Sequence, residues 1–193
     1  MAQSLSRAAQ AMALCAALVL VAFGPTGAQA QKATPVLDVP FVPTPEETVN
    51  RMLDMAKVGP SDFLIDLGSG DGRIPVAAAK RFGTRGLGID IDPERIKDGN
   101  ANAKAAGVTD KVEFREQNLF ETDISQASVL TLYLFPEINR KLRPKILAEM
   151  KPGSRVVSHQ FDMGDWKPEA ETRSPSGSNR VYLWIVPEKG AKP

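Results

Sequence analysis

The chain has 193 residues, a length that fits one domain with a short appendage, and its 42% hydrophobic and 24% charged residues are typical of a globular protein rather than a disordered or multi-spanning one. Lys and Arg number 24 and Asp and Glu 23, and the only charged residue among the first 30 is Arg7, so residues 31–193 have no net charge that would favour a nucleic-acid partner. The single cysteine, Cys15, and the single histidine, His159, exclude a disulfide framework and predict no metal site.

Residues 1–30 have the layout of a secretory signal peptide. Arg7 precedes an apolar run from Ala11 to Phe23, a Gly24-Pro25 breaker follows, and Ala28-Gln29-Ala30 is a small-x-small cleavage site. The run is shorter than the about 20 residues that cross a bilayer, which favours a cleaved leader over an inner-membrane anchor through residues 11–23. The sequence therefore predicts an exported, periplasmic protein, with the membrane anchor as the alternative.

Helix and strand patterns alternate along the rest of the chain. A capping box at residues 44–47, with Pro45 at the first helical position, predicts a helix that ends near Lys57. A short apolar run, Phe63–Leu67, follows as a buried strand. Such alternation is typical of an α/β fold, a mostly parallel sheet with helices on both faces. The later predicted elements are helices at 73–82, 93–106 and 137–150, the last interrupted at Pro144, strands at 86–91, 112–116, 129–135 and 155–161, and, after the Ser-, Gly- and Asn-rich residues 172–180, an antiparallel strand at 181–186.

The most informative stretch is the loop after the strand at 63–67. Gly68, Gly70 and Gly72 stand at alternate positions before the next helix. In an open parallel sheet, ligands bind beyond the carboxyl ends of the strands, and glycines there let the backbone approach a ligand closely. Asp90 ends the following strand, where a carboxylate can accept both hydroxyls of a ribose. A nucleoside-bearing cofactor is the first hypothesis, and a purely structural turn is the alternative.

Details of this loop indicate which cofactor it serves. A dinucleotide fingerprint would place its third glycine at position 73, which is Arg73. Asp66 sets a carboxylate beside the loop, which would repel a pyrophosphate and attract an ammonium group. A cofactor with an amino-acid head and a nucleoside, S-adenosylmethionine, fits this distribution of charge.

The same residues resemble the class I S-adenosylmethionine-dependent methyltransferases. Residues 66–72, Asp-Leu-Gly-Ser-Gly-Asp-Gly, are similar to their first motif, Gly88-Ile89-Asp90 to their second-strand acid, and residues 151–154, Lys-Pro-Gly-Ser, to the turn before their fifth strand. The resemblance implies a Rossmann-like fold with a mostly parallel seven-stranded sheet and an antiparallel last strand. A narrower likeness rests on residues 40–45, 70–74, 142–145 and 156–161.

That narrower likeness is to the small protein-lysine methyltransferases, which include broad-specificity archaeal enzymes and mitochondrial enzymes that modify the adenine nucleotide translocase and ATP synthase subunit c. It covers about residues 38–187. It implies a methyltransferase domain at 61–187, preceded by a lid segment and helix at 31–60 and followed by a tail at 188–193. The acceptor it implies is a protein with an accessible lysine.

The resemblance also implies roles for single residues around the cofactor. Residues 40–45 would fold over the cofactor as a lid. An amide at position 118 can replace the aspartate common in the class, because its oxygen accepts the same hydrogen bond. The implied cofactor-binding residues are Asp66 beside the loop, Gly68, Ser69 and Gly70 at the methionine end, Asp90 at the ribose, and Ile91, Asn118 and Leu119 at the adenine.

Methyl transfer to an amine needs alignment and a neutral nitrogen, which an apolar channel favours by lowering the pKa of a lysine. Tyr133, Phe135 and Trp166 are the candidate channel walls, although apolar strand residues also serve as plain core. His159 is a candidate for removing a proton, or a residue that only pairs with neighbouring backbone. The segment 132–136, Leu-Tyr-Leu-Phe-Pro, lacks the side-chain carbonyl with which amino methyltransferases hold nucleobases or glutamine.

The leader conflicts with the cofactor, because S-adenosylmethionine is made in the cytosol. Three resolutions are open: the leader is an inner-membrane anchor, the protein is exported and binds something else, or the true start lies downstream. The rival hypotheses are a non-catalytic exported binding protein that retains the fold and a methyltransferase for a small molecule.

Overall fold

The computed structural model describes residues 41–190, so the predicted leader and residues 31–40 of the predicted lid segment lie outside the described residues. Four helices and seven strands occupy the described range. In chain order they are α1 (Glu46–Met55), β1 (Phe63–Leu67), α2 (Arg73–Phe82), β2 (Arg85–Asp90), α3 (Pro93–Ala106), β3 (Val112–Glu116), β4 (Val129–Leu132), α4 (Pro136–Glu149), β5 (Arg155–His159), β6 (Ala170–Arg173) and β7 (Arg180–Ile185).

The strands form one sheet in the order β3-β2-β1-β4-β5-β7-β6. Strands β1 to β5 pair in parallel, whereas β7 pairs antiparallel with β5 and β6 antiparallel with β7. The predicted fold class and the antiparallel last strand are therefore confirmed. The strand order reverses between β1 and β4, and the carboxyl ends of these two strands flank the crevice in which such sheets bind ligands.

Alternation of side chains along the strands builds a core on each face of the sheet. Leu64 and Val157 point to the face covered by α1 and α2. Ile65 and Leu130 point to the opposite face, where α4 packs through Leu142 and its neighbours. Helices on both faces, as predicted from the alternating pattern, follow directly from this period of two.

Helix α1 begins at Glu46 and has no side-chain cap, so the predicted capping box at Thr44 does not form. The Thr44 side chain is buried and its Oγ1 lies 3.1 Å from Nδ1 of His159 on β5. A tertiary hydrogen bond thus takes the hydroxyl that the local pattern assigned to the helix end. α1 also ends at Met55 rather than near Lys57.

Two strands are shorter than predicted. β4 ends at Leu132, not at residue 135, opposite Leu67, the last residue of its neighbour β1. β5 ends at His159, not at residue 161, because Gln160 has a φ of 67° and turns the chain out of the sheet. Both departures lie at the edge of the sheet where ligands are expected.

One further prediction is wrong and one strand is missing from the prediction, and exposure explains both. α4 is continuous through Pro144, because this proline is exposed and the carbonyl that loses its amide donor can bind water instead. β6 was not predicted, since Ala170–Arg173 is a largely exposed edge strand without an apolar face. Within residues 41–190, no helix has the length and hydrophobicity needed to cross a bilayer.

Candidate active site

A cavity opens at the carboxyl ends of β1, β2 and β4, and all eight residues predicted to bind the cofactor line it. The elements explain this convergence, because the loops after parallel strands emerge at one edge of the sheet. The eight residues are Asp66, Gly68, Ser69, Gly70, Asp90, Ile91, Asn118 and Leu119.

The glycine loop is hydrogen-bonded to the end of β2. The backbone amides of Gly68 and Ser69 both donate to the carbonyl of Ile89, at 2.8 Å each. Gly70 has a φ of 54°, and a Cβ built there would lie 2.4 Å from Cε2 of the Phe41 ring. A side chain at position 70 would therefore collide with the lid segment, which explains why glycine is needed at this point.

Asp90 connects this loop to the start of α3. Its Oδ2 accepts a hydrogen bond from the Gly70 amide at 2.9 Å, and its Oδ1 accepts one from the Asp92 amide at 3.0 Å. Burial raises the pKa of Asp90, while these backbone donors act to lower it. Each carboxylate oxygen keeps acceptor capacity beyond these bonds, which is what binding of a pair of vicinal hydroxyls requires.

Asp66 is buried in the floor of the cavity, with 2% of its surface exposed. Burial raises its pKa to about 7, although a hydrogen bond from Thr131 acts against this rise. The Thr131 hydroxyl donates to Oδ1 of Asp66 over 2.6 Å. The negative charges of Asp90 and Asp71 raise the pKa further. A cationic group entering here would favour the ionised carboxylate.

The described part of the lid, residues 41–45, is fastened over the glycine loop. The guanidinium of Arg95 lies 4.7 Å from the centre of the Phe41 ring, on a ring that also rests against Gly70. Arg73 donates to the carbonyl of Thr44 at 2.9 Å, and its Nε and Nη2 donate to the two carboxylate oxygens of Asp71. Burial would raise the pKa of Asp71, but Arg73 outweighs burial and holds it below its ordinary value.

The end of the cavity near β3 is suited to a flat heterocycle. Ile91 is 38% exposed although it is apolar, and Leu119, which also lines the cavity, is half-buried. Oδ1 of Asn118 accepts a hydrogen bond from the Phe120 amide at 2.9 Å. The amide keeps its Nδ2 donors and one oxygen lone pair for a bound group, so an adenine fits the chemistry of these residues.

The opposite end of the cavity is aromatic. Tyr133 and Phe135 follow β4, Phe161 follows β5, and all three line the cavity. The Phe161 ring centre lies 6.2 Å from that of Tyr133 in a near-parallel arrangement and 6.0 Å from that of Phe135 edge-on. The carboxylates that line the cavity belong instead to β1, β2 and the loops after them.

Two predicted channel residues do not reach the cavity. Trp166 is buried in the core, 6.0 Å between ring centres from Trp184, whose Nε1 donates to the Trp166 carbonyl. His159 lies behind the lining, with its ring centre 3.8 Å from that of Tyr133. Burial lowers the pKa of His159, and an opposing contribution comes from Asn179. The structure thus places His159 between Tyr133 and Thr44 rather than against a substrate.

Sequence reasoning missed several lining residues. Phe41 was covered only as part of the lid, and Arg73 only as a break in the dinucleotide fingerprint. Arg95 stands on α3 at a position where a helical arginine is normally solvated, and Phe161 was assigned to a strand. Proximity across the fold, which no local pattern encodes, brings all four to the cavity.

The cavity combines the buried carboxylate of Asp66 and the carboxylate of Asp90 with an apolar, aromatic end. It lies where the strand order of a mostly parallel sheet reverses, and the sheet ends in antiparallel strands. This fold and this site define a class I S-adenosylmethionine-dependent methyltransferase. The chain belongs to the ANTKMT methyltransferase domain family, whose model matches residues 66–170. The predicted resemblance, the enzyme class and the cofactor are confirmed.

Relatives and solved structures agree with this assignment. The protein-lysine N-methyltransferase of Saccharolobus islandicus (strain REY15A) is 44% identical over 153 residues, which cover 78% of this chain and 95% of that protein. The adenine nucleotide translocase lysine N-methyltransferase of Mus musculus is 31% identical over 80% of this chain and 66% of that protein. A crystal structure of an RNA methyltransferase from Salinibacter ruber, bound to S-adenosyl-L-homocysteine, is 51% identical with a TM-score of 0.76, covering 79% of this chain and 98% of that one.

Proposed function

We propose that this enzyme transfers a methyl group from S-adenosylmethionine to the side-chain amine of a lysine in a protein. The observation that carries the proposal is the division of the cavity into an acidic end and an aromatic end. The similarity to the lysine methyltransferases of S. islandicus and mouse supports the same acceptor.

The acidic end suits the cofactor. Asp66 would face the ammonium group of its amino-acid head, Asp90 its ribose, and Ile91 with Asn118 its adenine. When bound, S-adenosylmethionine supplies a methyl group whose bond to the sulfonium sulfur breaks, leaving a neutral thioether, as the amine nitrogen forms its bond to carbon. Phe41 of the lid at 41–45 packs against Gly70 of the glycine loop and would limit the access of water to that end.

The aromatic end suits the acceptor. A lysine ammonium must release one proton to solvent before its nitrogen can attack, and apolar walls favour the neutral amine by lowering its pKa. Tyr133, Phe135 and Phe161 would line the path of the alkyl chain and hold the nitrogen in line with the methyl group. This step uses alignment and desolvation, and it requires no protein base, which agrees with the position of His159 behind the lining.

An RNA acceptor is the second candidate, because the 51% identical protein from Salinibacter ruber carries that description. The balanced charge of residues 31–193 and the aromatic lining after β4 and β5 favour the lysine acceptor. A non-catalytic binding protein and a small-molecule methyltransferase are the other outcomes that the experiment separates.

The test is transfer of tritium from S-[methyl-³H]adenosylmethionine by the full-length protein in mild detergent, with poly-L-lysine, total RNA or a mixture of small amines as acceptor. We expect label in methyl-lysine after acid hydrolysis of the polymer. The Asp90→Ala variant should lose the label, and the variant Lys151→Ala, at an exposed turn before β5, should keep it. Label only in RNA, only in small amines or in no acceptor would contradict the proposal.

We also propose that residues 11–23, within the uncharged stretch 8–31, associate with the inner membrane and that the catalytic domain faces the cytosol. These residues carry no charged side chain, and the flanking Arg7 and Lys32 place one basic residue on each side, so charge does not set an orientation. The cytosolic supply of the cofactor decides in favour of that side. A reporter that works only in the cytosol should therefore be active when fused to the C-terminus, and a reporter that works only in the periplasm should be inactive. The opposite pattern would contradict this topology.

A further inference from the structure

The turn that follows β5 is held in an unusual conformation. The Phe161 amide donates to the carbonyl of His159 at 2.8 Å, two residues back, which closes a γ-turn around Gln160. Gln160 has a φ of 67° and is one of two non-glycine residues with positive φ within residues 41–190. Such a conformation disfavours any residue with a Cβ, so the surrounding structure must enforce it.

The enforcing contacts come from two sides. On one side, the Gln160 amide donates to the carbonyl of Arg180 on β7 at 2.8 Å, and the Arg180 amide donates to Oε1 of Gln160 at 3.1 Å. On the other side, Nδ2 of Asn139, fully buried on α4, lies 3.3 Å from the Phe161 carbonyl and 3.2 Å from that of Asp162. The turn is therefore clamped between α4 and β7.

The consequence of the turn is the position of one ring. Continuation of β5 would carry the chain onward beside β7, whereas the γ-turn brings the Phe161 side chain against Tyr133 and Phe135 at the cavity. Phe135 is 40% exposed, so this trio stands where the cavity meets solvent. An acceptor entering from solvent would meet these rings before it reached the glycine loop.

We infer that Phe161 selects the acceptor as the third wall of a channel for a long aliphatic amine, and that Gln160 and Asn139 are positioning residues that hold it there. The inference rests on the proposed function. An aromatic face binds the methylene stem of a lysine through dispersion and the ammonium through cation–π attraction. A shorter amine side chain would not reach past Tyr133, Phe135 and Phe161 while the backbone of the acceptor protein stayed outside the cavity.

The experiment compares variants of the full-length enzyme on two polymers, poly-L-lysine and poly-L-ornithine, whose side chain is one methylene shorter. Phe161→Ala should raise KM for poly-L-lysine about tenfold and reduce the preference for lysine over ornithine, with the Kd of S-adenosylhomocysteine unchanged within about twofold. Phe161→Leu, which keeps apolar bulk, should give an intermediate KM.

The Gln160 position supplies a matched pair that tests the turn itself without emptying the core. Gln160→Val disfavours positive φ and should raise KM about as much as Phe161→Ala, whereas Gln160→Gly adopts positive φ freely and should give a KM at least about fivefold lower than that of the valine variant. Asn139→Leu, which removes the Nδ2 donor without burying a carboxylate, should add little to the KM effect of Phe161→Ala in the double variant, because Asn139 acts through Phe161.

The outcomes separate the two proposals. Phe161→Ala with an unchanged KM and lysine preference, in an enzyme that methylates poly-L-lysine, would overturn the role of Phe161 and leave the proposed function standing. An equal rise in KM for poly-L-lysine in Gln160→Val and Gln160→Gly would overturn the role of the turn. A wild-type enzyme that binds S-adenosylhomocysteine and methylates neither polymer would overturn the proposed function, and the acceptor channel with it.

Discussion

Asp66 combines a structural cost with an expected role in binding, and its replacement by asparagine should separate the two. The side chain is 2% exposed and its pKa is raised to about 7, mainly by burial. Asparagine has nearly the same shape and keeps an oxygen that can accept the hydrogen bond from Thr131. The substitution therefore removes the charge while it preserves the packing.

The sign of the effect follows from proton binding. The unfolded chain releases the Asp66 proton near pH 4, whereas the folded chain holds it until about pH 7, so the folded state loses stability as pH rises between these values. A pKa of about 7 in place of 3.8 corresponds to roughly 4 kcal/mol at pH 8. Asp66→Asn should accordingly raise the free energy of unfolding by up to about 4 kcal/mol at pH 8 and by almost nothing at pH 4.

Urea unfolding followed by tryptophan fluorescence, at pH 4, 6 and 8, measures this difference for both proteins. Asp110→Asn, a substitution of a largely exposed aspartate, is the control for loss of one negative charge, and its effect should stay below about 1 kcal/mol. If Asp66→Asn destabilised the protein at pH 8, or stabilised it equally at pH 4 and 8, the argument from buried charge would be refuted.

Asp66→Asn should also weaken binding of the cofactor product, S-adenosylhomocysteine. The ammonium group of S-adenosylhomocysteine favours ionised Asp66, so wild-type affinity should increase from pH 6 to pH 8 as this carboxyl loses its proton. Calorimetric titration should show about a tenfold higher Kd for Asp66→Asn at pH 8 and a flatter dependence on pH. A variant that gained stability and kept full affinity would remove Asp66 from the binding site.

Three further predictions concern the cofactor end of the cavity. Asp90→Ala, which removes the acceptor of the Gly70 amide and the acceptor proposed for a ribose, should raise the Kd of S-adenosylhomocysteine about 100-fold by calorimetry; a change under about threefold would contradict its role. Gly70→Ala should raise that Kd at least about tenfold because its Cβ would lie 2.4 Å from the Phe41 ring, whereas Gly107→Ala, also at positive φ but in open space, should leave it unchanged. In Arg73→Lys, the lysine cannot donate two hydrogen bonds to Asp71 and one to the Thr44 carbonyl of the lid at the same time. Stopped-flow fluorescence should therefore show faster release of S-adenosylhomocysteine, and an unchanged rate would mean that this contact does not hold the lid in place.

The fold could be predicted wherever a local pattern agreed with the tertiary environment. Four of the five residues of Phe63–Leu67 are apolar, as expected for a strand covered on both faces, and its prediction as a buried strand is confirmed to the residue. β6 escaped prediction because an exposed edge strand is held by backbone pairing with β7, which leaves no mark on side-chain hydrophobicity. The interruption predicted at Pro144 is wrong because the sequence pattern does not show whether the carbonyl that loses its amide donor can bind water instead.

The candidate site was predictable on the side of β1 and β2, where ligand contacts follow the strands within a few residues. Gly70 and Asp90 could be paired from sequence because parallel strands end at one edge. Trp166 could not be excluded from the channel, because its burial against Trp184 depends on a contact 18 residues away in sequence. The sequence does not indicate Phe161 as a lining residue, because the predicted strand continues through Gln160. A positive φ at a glutamine cannot be recognised from the residue type.

The topology of the sheet explains why the cavity has two chemical ends. Order reverses between β1 and β4, so the crevice receives loops from one half that carries Asp66 and Asp90 and from another half that carries Tyr133 and Phe161. The two halves contribute to the cavity from opposite sides of the reversal. Substitutions on the acidic half should therefore change the Kd of the cofactor, and those on the aromatic half the KM of the acceptor. Variants that shifted both constants from either half would show that one end of the cavity cannot be altered without the other.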